Sequence, residues 1–413
     1  MEENMTGHGD RTAKAFVPFH VPSIGEEEIQ EVVATLRSGW LTTGERTARF
    51  EREYAEYVEA PHALAVNSCT AGLHLALAGL NVGPGDEVIT TPFTFCATVN
   101  TILHVGATPV LADIGADGNI DPRSIEERIT PRTRAIMPVH LAGIPCDMNA
   151  IWRLARERGL YVIEDAAHAT GSRYGGRPVG SCAGEFSSDA VAWSFYATKN
   201  ITTGEGGMVT TGNADLAARM RVLCLHGISK DAWNRYAENG SWYYEVLEPG
   251  FKYNLSDLQS AIGIHQLRKA DRFIEARRSR AAMYSHWFRG VEEIETPPEG
   301  RGKDNSWHIY ALRLNLDRLT ITRNQFMDEL KRRGVGASVH FIPVPLHPFF
   351  ADWAGKPENQ CPRAMELWER SVSLPLYPGL RDEQAEAVAE AVLDIVKANS
   401  RRPAALATAG TAQ

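Results

Sequence analysis

The sequence predicts an α/β fold: a large domain built on a mostly parallel sheet with helices on both faces, followed by a smaller C-terminal α+β domain. Two observations predict it. Between about Ala60 and Ala218, short β-rich runs alternate with helical stretches, the pattern of strand–helix–strand units joined in a parallel sheet. From Ser256 a long helical pattern without internal proline gives way to Pro297-Pro298-Glu299-Gly300, which sets the first body apart from the next.

The strand candidates, in order, are HALAV, DEVITT, TPVLAD, RAIMPV, LYVIED, DAVAWS and GGMVTT. Helical stretches at Thr70–Ala78 and Cys96–Leu103 follow the first two. The helical pattern over residues 256–288 reads as the bridge between domains. Beyond it, strands are expected near His308–Leu314 and Ala337–Phe341, and helices near Arg323–Arg333 and Asp382–Lys397. The large domain is therefore expected over residues 16–265 and the small one over 266–399. Residues 1–15 and 400–413 are polar or small without periodicity and are expected to be disordered tails.

The 413 residues, 44% hydrophobic and 23% charged, suffice for two domains with a large shared core. A net charge of -8 without any Lys/Arg block argues against a nucleic-acid surface, which needs clustered cations. The six cysteines are scattered and form no C-x-x-C pair. Neither a metal site nor a disulfide framework is expected, and the thiols read as reduced and cytoplasmic. No apolar run has the length of a signal peptide or a membrane span.

Ligands in parallel sheets bind where strands end at their carboxyl side. VIEDAAHATG (residues 162–171) ends a strand in Asp165, and SFYATKNITTGEGG (194–207) ends another in Ser194, followed by Lys199. Pyridoxal 5'-phosphate (PLP) needs a lysine amine for its Schiff base and a carboxylate facing its pyridine nitrogen to keep the ring electron-withdrawing. Lys199 and Asp165 are the natural pair, and a protonated ring would supply the cation that a buried acid requires. Each alone has an ordinary alternative: Asp165 as the cap of the next helix, Lys199 as a solvated loop lysine.

The phosphate needs donors at little cost in charge, and a helix amino end provides them. In NSCTAGLHLAL, Cys69, Thr70 and Ala71 would present backbone amides, Gly72 would allow close approach, and Ser194 would add a hydroxyl. The same letters also make an ordinary N-cap. In TTPFTFCATVN, Phe95 is the choice of ring platform, although strand-end aromatics commonly fill cores. His168 would face the phenolic oxygen of the cofactor or the substrate; as an isolated histidine it would be structural. TTGEGGMVTT lacks the spacings of nucleotide-binding loops and reads as a tight turn, with Gly204 and Gly206 in unusual dihedrals.

Together these segments resemble the DegT and StrS type of sugar aminotransferase within the fold type I PLP-dependent transferases. SGWLTTG, FEREYAEYV, IEDAAHATGSRYGGRPVG, SFYATKNITTGEGGMV, GFKYNLSDLQSAIGIHQL and SVHFIPVPLH occur in the family's order. The resemblance implies a seven-stranded sheet, a Schiff base on Lys199, a ring-nitrogen contact from Asp165 and phosphate binding by Ser194. It also implies a homodimer in which GFKYNL closes the neighbouring site through Lys252 or Asn254, where many relatives carry other residues. His340, in SVHFIP, matches a family histidine near the substrate, although a strand histidine is more often structural, and Trp40 is a further candidate substrate contact. Glutamate is the implied donor and a UDP- or dTDP-linked 4-keto sugar the implied acceptor; a cyclitol or another keto compound is the alternative acceptor. A regulatory scaffold without catalysis is the reading of another class, which the intact Lys199, Asp165 and Ser194 set disfavours.

Overall fold

The structure, a computed structural model, describes residues 16–184, 186–229, 243–298, 303–354 and 360–401. Helices α1 (Glu26–Ser38) and α2 (Glu45–Tyr57) precede β1 (His62–Val66), α3 (Cys69–Gly79), β2 (Glu87–Thr90), α4 (Ala97–His104) and β3 (Thr108–Leu111). Next come α5 (Pro122–Arg128), β4 (Thr133–Met137), α6 (Met148–Arg158), β5 (Tyr161–Asp165) and a hairpin of β6 (Arg173–Tyr174) and β7 (Arg177–Pro178). Strands β8 (Ala190–Ser194) and β9 (Gly207–Thr211) and helix α7 (Ala214–Cys224) complete the alternating region.

Seven strands form the main sheet in the order β1-β9-β8-β5-β4-β2-β3. All seven expected runs are in it. They could be read because a sheet covered on both faces buries every position, so each strand is a nearly continuous apolar run; β2, β8 and β9 are buried along their whole length. β2 to β5 and β8 pair in parallel, whereas β9 is antiparallel to both β1 and β8. No helix lies between β8 and β9 to carry the chain across a face, so β9 returns beside β8. The connection it leaves is the loop holding Lys199.

α3 is apolar on nearly all sides, with Leu73, Leu75 and Leu77 at most 1% exposed. It packs close to the sheet because residue 72 is glycine: a Cβ there would lie 2.8 Å from Val209 Cγ2. Gly72 thus serves helix–sheet packing.

The expected continuous helix over 256–288 is two: α8 (Asp257–Arg268) and α9 (Ala270–Trp287). The break falls at Lys269, whose ammonium is paired with Glu27 and Glu28 of α1 at 2.8 and 2.7 Å. After α9 come β10 (Ile294–Glu295), β11 (Lys303–Asp304), β12 (Tyr310–Leu314), α10 (Arg323–Arg332), α11 (Pro348–Ala354), α12 (Pro362–Arg370), β13 (Ser371–Leu374) and α13 (Asp382–Asn399). β10, β12 and β13 form an antiparallel sheet. No strand forms over Ala337–Phe341; Ser338 alone bridges to Ser373, and β13 is the partner that β12 finds.

The small lobe has its own core, including Tyr284, Tyr310, Leu312, Phe326 and Val392. α9 spans two cores: Ala270 and Phe273 pack in the large one, Ala281 and Tyr284 in the small one. The division therefore falls inside α9, later than residue 265. Val17, expected in the large domain, also belongs to the small core, where it exchanges backbone hydrogen bonds of 2.8 Å with Gly334 and Gly336. Residues 1–15 and 402–413 of the expected tails lie outside the described residues. Ser400 and Arg401, also expected in the tail, are bonded to Glu293 Oε1 at 2.5 Å and Leu319 O at 2.8 Å.

Candidate active site

The carboxyl ends of β1, β5 and β8 place three side chains around one point. Asp165, the last residue of β5, is 6% exposed. Its Oδ2 accepts from Thr98 Oγ1 at 2.8 Å and its Oδ1 from the Ala167 amide at 3.1 Å. The Cys69 thiol, first residue of α3, lies 3.9 Å from Oδ1. Burial, then the Asp165 charge, holds that thiol well above its usual range, so Cys69 is a neutral neighbour.

Lys199 sits on the loop between β8 and β9, its amide bonded to Tyr196 O at 2.9 Å. Burial pushes its amine down to about 8, against the opposing pull of Cys69 and Asp165. Lys199 and Asp165 are thus within electrostatic reach of one another.

Around the amine stands a histidine cluster. Burial and the Lys199 charge hold His168 well below its usual range and His340 at about 4. Nδ1 of His168 accepts from the Ala142 amide at 3.2 Å, so in the neutral ring Nε2 carries the proton and is a donor. Its ring stacks on Phe341 at 5.6 Å and touches His308 at 4.4 Å. His340 shares a hydrogen bond of 2.9 Å with Ser373 Oγ and stacks on Phe19. The irregular chain at 338–341, in place of the expected strand, brings this pair from the small lobe to Lys199.

At the start of α3, Ser68 Oγ caps the helix by accepting from the Ala71 amide at 3.1 Å. Ala71 N–H is thereby engaged, while Cys69 and Thr70, first in the helix, have no intrahelical carbonyl to donate to. Gly207 makes this turn possible: a Cβ there would lie 2.6 Å from the Ser68 carbonyl carbon and 2.7 Å from Cys69 N. Ser194, 7% exposed, faces Gly207 across the β8–β9 pair. Gly204 does adopt φ +81°, but Gly206 is needed for space, its would-be Cβ falling 2.2 Å from Thr203 Oγ1.

Phe95 is 61% exposed, with its ring 6.1 Å from that of Phe341; Phe93 of the same segment is the core aromatic. Trp40, Lys252 and Asn254 are linked to one another through Thr43. The Lys252 ammonium bonds Asn254 Oδ1, Asn254 Nδ2 donates to Thr43 Oγ1 at 2.8 Å, and Trp40 Nε1 donates to Thr43 O at 3.1 Å. The segment is tied to the α3 entry turn, since Asn67 N donates to Tyr253 O at 2.7 Å.

The model of the DegT/DnrJ/EryC1/StrS aminotransferase family matches residues 22–393. The chain belongs to this family. Among relatives, it is 50% identical to the spore coat polysaccharide biosynthesis protein SpsC of Bacillus subtilis, over 92% of this chain and 97% of SpsC. Among solved structures, it is similar to the putative sugar aminotransferase Spr1654 of Streptococcus pneumoniae in its PMP-form, with TM-score 0.86 and 35% identity over 92% and 99% of the two chains. It is also similar to Helicobacter pylori PseC, an aminotransferase involved in the biosynthesis of pseudoaminic acid, with TM-score 0.85 and 30% identity over 93% and 100%.

As a member, the chain is a PLP-dependent transaminase of fold type I. Its own residues fit that cofactor. A lysine amine lowered by burial, a buried acid whose oxygens are already oriented, and a glycine-permitted helix entry with unengaged amides supply the three functions that PLP requires. Sequence reasoning missed Thr98, Gly207 and His308. Gly207 is the first residue of β9 and carried a legible signal as a glycine at a strand start, whereas Thr98 carried none, since only the fold brings Asp165 to it. His308 carried none, because only the fold brings it to His168.

Proposed function

We propose that the transaminase moves an amino group from glutamate to a keto sugar carried by a nucleotide. The observation that carries this reading is the pairing of a depressed lysine amine with a buried, hydrogen-bonded acid at neighbouring strand ends. The sugar class is supported by the relatives named for sugar amination and polysaccharide synthesis.

When bound, PLP supplies a protonated ring that withdraws electrons from the carbon bearing the amine. The residues of the chain do the rest. Lys199 Nζ, near 8, is partly neutral at physiological pH, so it can attach the cofactor and then take and return protons at the substrate carbon. Asp165 serves as the counter-charge of the ring nitrogen. The Cys69 and Thr70 amides and the Ser194 hydroxyl bind the phosphate at the dipole of α3. Phe95, with an open ring face, is the platform for the pyridine. His168 offers Nε2–H to an oxygen of cofactor or substrate, and neutral His340 lines the substrate side.

Two copies share each site in this reading. Lys252 or Asn254 serves the partner's phosphate, and Trp40 is a substrate contact. The exposure of Lys252, and of Trp40 at 40%, leaves both open to a second copy and supports this reading. Among the described residues no helix is long and apolar enough to cross a membrane.

Two results follow from this reading. Uptake of PLP by the cofactor-free protein is expected to quicken about tenfold per pH unit below about 8 and to level off above, because only the neutral amine attacks. Stopped-flow absorbance measures this, and a rate still climbing at pH 10 would contradict a depressed amine. In a panel of UDP- and dTDP-linked keto sugars offered with glutamate, at least one is expected to gain the mass of an amine in place of its ketone. Amination of a free cyclitol ketone with none of the nucleotide sugars would sink the substrate assignment.

A further inference from the structure

We propose that the Thr94–Thr98 hydroxyl pair is a positioning device, which fixes the plane of the Asp165 carboxylate and so sets how firmly this acid holds the ring nitrogen of the cofactor. The proposal rests on the reading of Asp165 as the ring-nitrogen partner. Thr98, in the first turn of α4, is fully buried and lies 2.8 Å from both Asp165 Oδ2 and Thr94 Oγ1. A hydroxyl has one proton to give, and an ionised carboxylate only accepts. The Thr98 proton therefore goes to Asp165, and Thr94, 2% exposed, must donate to Thr98. The result is a one-way chain ending on Oδ2.

The other oxygen is held from a different element, by the Ala167 amide at 3.1 Å in the turn after β5. With its two oxygens tied to α4 and to that turn, the carboxylate cannot rotate about Cβ–Cγ without losing both bonds. Phe95, just before α4, is tied to the same turn, since Thr98 N donates to Phe95 O at 3.2 Å. One stretch of backbone thus sets the aromatic and orients the acid. Packing alone gives no reason for a hydroxyl at position 98: valine has nearly the same shape, and a buried hydroxyl is costly unless bonded.

The test compares T98V, T98S and T94V in the full chain. T98V is expected to weaken PLP affinity on the order of tenfold, the worth of a hydrogen bond to a charged group. It is also expected to move the pH midpoint of the visible band upward, because a less firmly held ring cation withdraws less charge from the lysine-bound carbon. T98S is expected to stay within about twofold of the parent and T94V to fall between, as a lost second bond in a chain. Thermal unfolding of the cofactor-free proteins identifies any folding defect. If T98V does not fold, the midpoint in T94V carries the test. Affinity and midpoint unchanged in T98V, or T98S as impaired as T98V, would overturn the proposal while leaving Asp165 in its role. Parent-like affinity and turnover in D165N would instead overturn the reading beneath it.

Discussion

Lys199→Ala is expected to lower multiple-turnover transamination by at least about 10⁴-fold, the upper range for losing a positioned acid–base group, with loss of the covalent anchor added. The side chain is not needed for the core: it lies on a loop between two strands, and the amine is destabilised as a cation by burial. Alanine removes that strain, so the variant is expected to fold at least as well as the parent. Borohydride treatment separates the two effects. The parent becomes irreversibly labelled with cofactor at Lys199, and the variant does not. Sustained turnover by the variant without an added amine would remove Lys199 from the mechanism.

Asp165→Asn is expected to lower kcat/KM by roughly 10²-fold to 4 × 10³-fold. Taking one charge from a buried pair costs about 3–5 kcal/mol, and each 1.4 kcal/mol is about tenfold. The amide keeps the shape of the acid, and its oxygen can still accept from Thr98 or Ala167. Its NH₂ group must then face a donor or the ring nitrogen, where an acceptor is needed. PLP is therefore expected to bind more weakly, as measured by titration of visible absorbance, and activity within about threefold of the parent would leave the ring nitrogen without its proposed partner.

The two strand ends that carry these residues, at Asp165 and Ser194, were legible from local signals. An apolar run that ends abruptly in a charge marks a strand end, and strand ends are where a parallel sheet binds ligands. The parts not legible depend on distant partners. β13 pairs with β12 across α10, α11 and α12, and nothing local in SVSL distinguishes it from a helix end. Residues 337–341 look like a strand by composition, yet only Ser338 finds a partner. The break at Lys269 answers to two glutamates of α1, and no glycine or proline announces it. Thr98 is a fully buried threonine on a helix, a type that usually fills space; its partner Asp165 is brought to it by the order of strands in the sheet.

The seating of Val17 between Gly334 and Gly336 has a consequence for how the protein is made. A nascent chain tends to fold its domains as they emerge from the ribosome, and the seven-strand body can begin to do so early. Its leading segment must wait, because the residues that receive it are translated much later. The second lobe is therefore completed only when a segment made before the seven-strand body meets residues made after it.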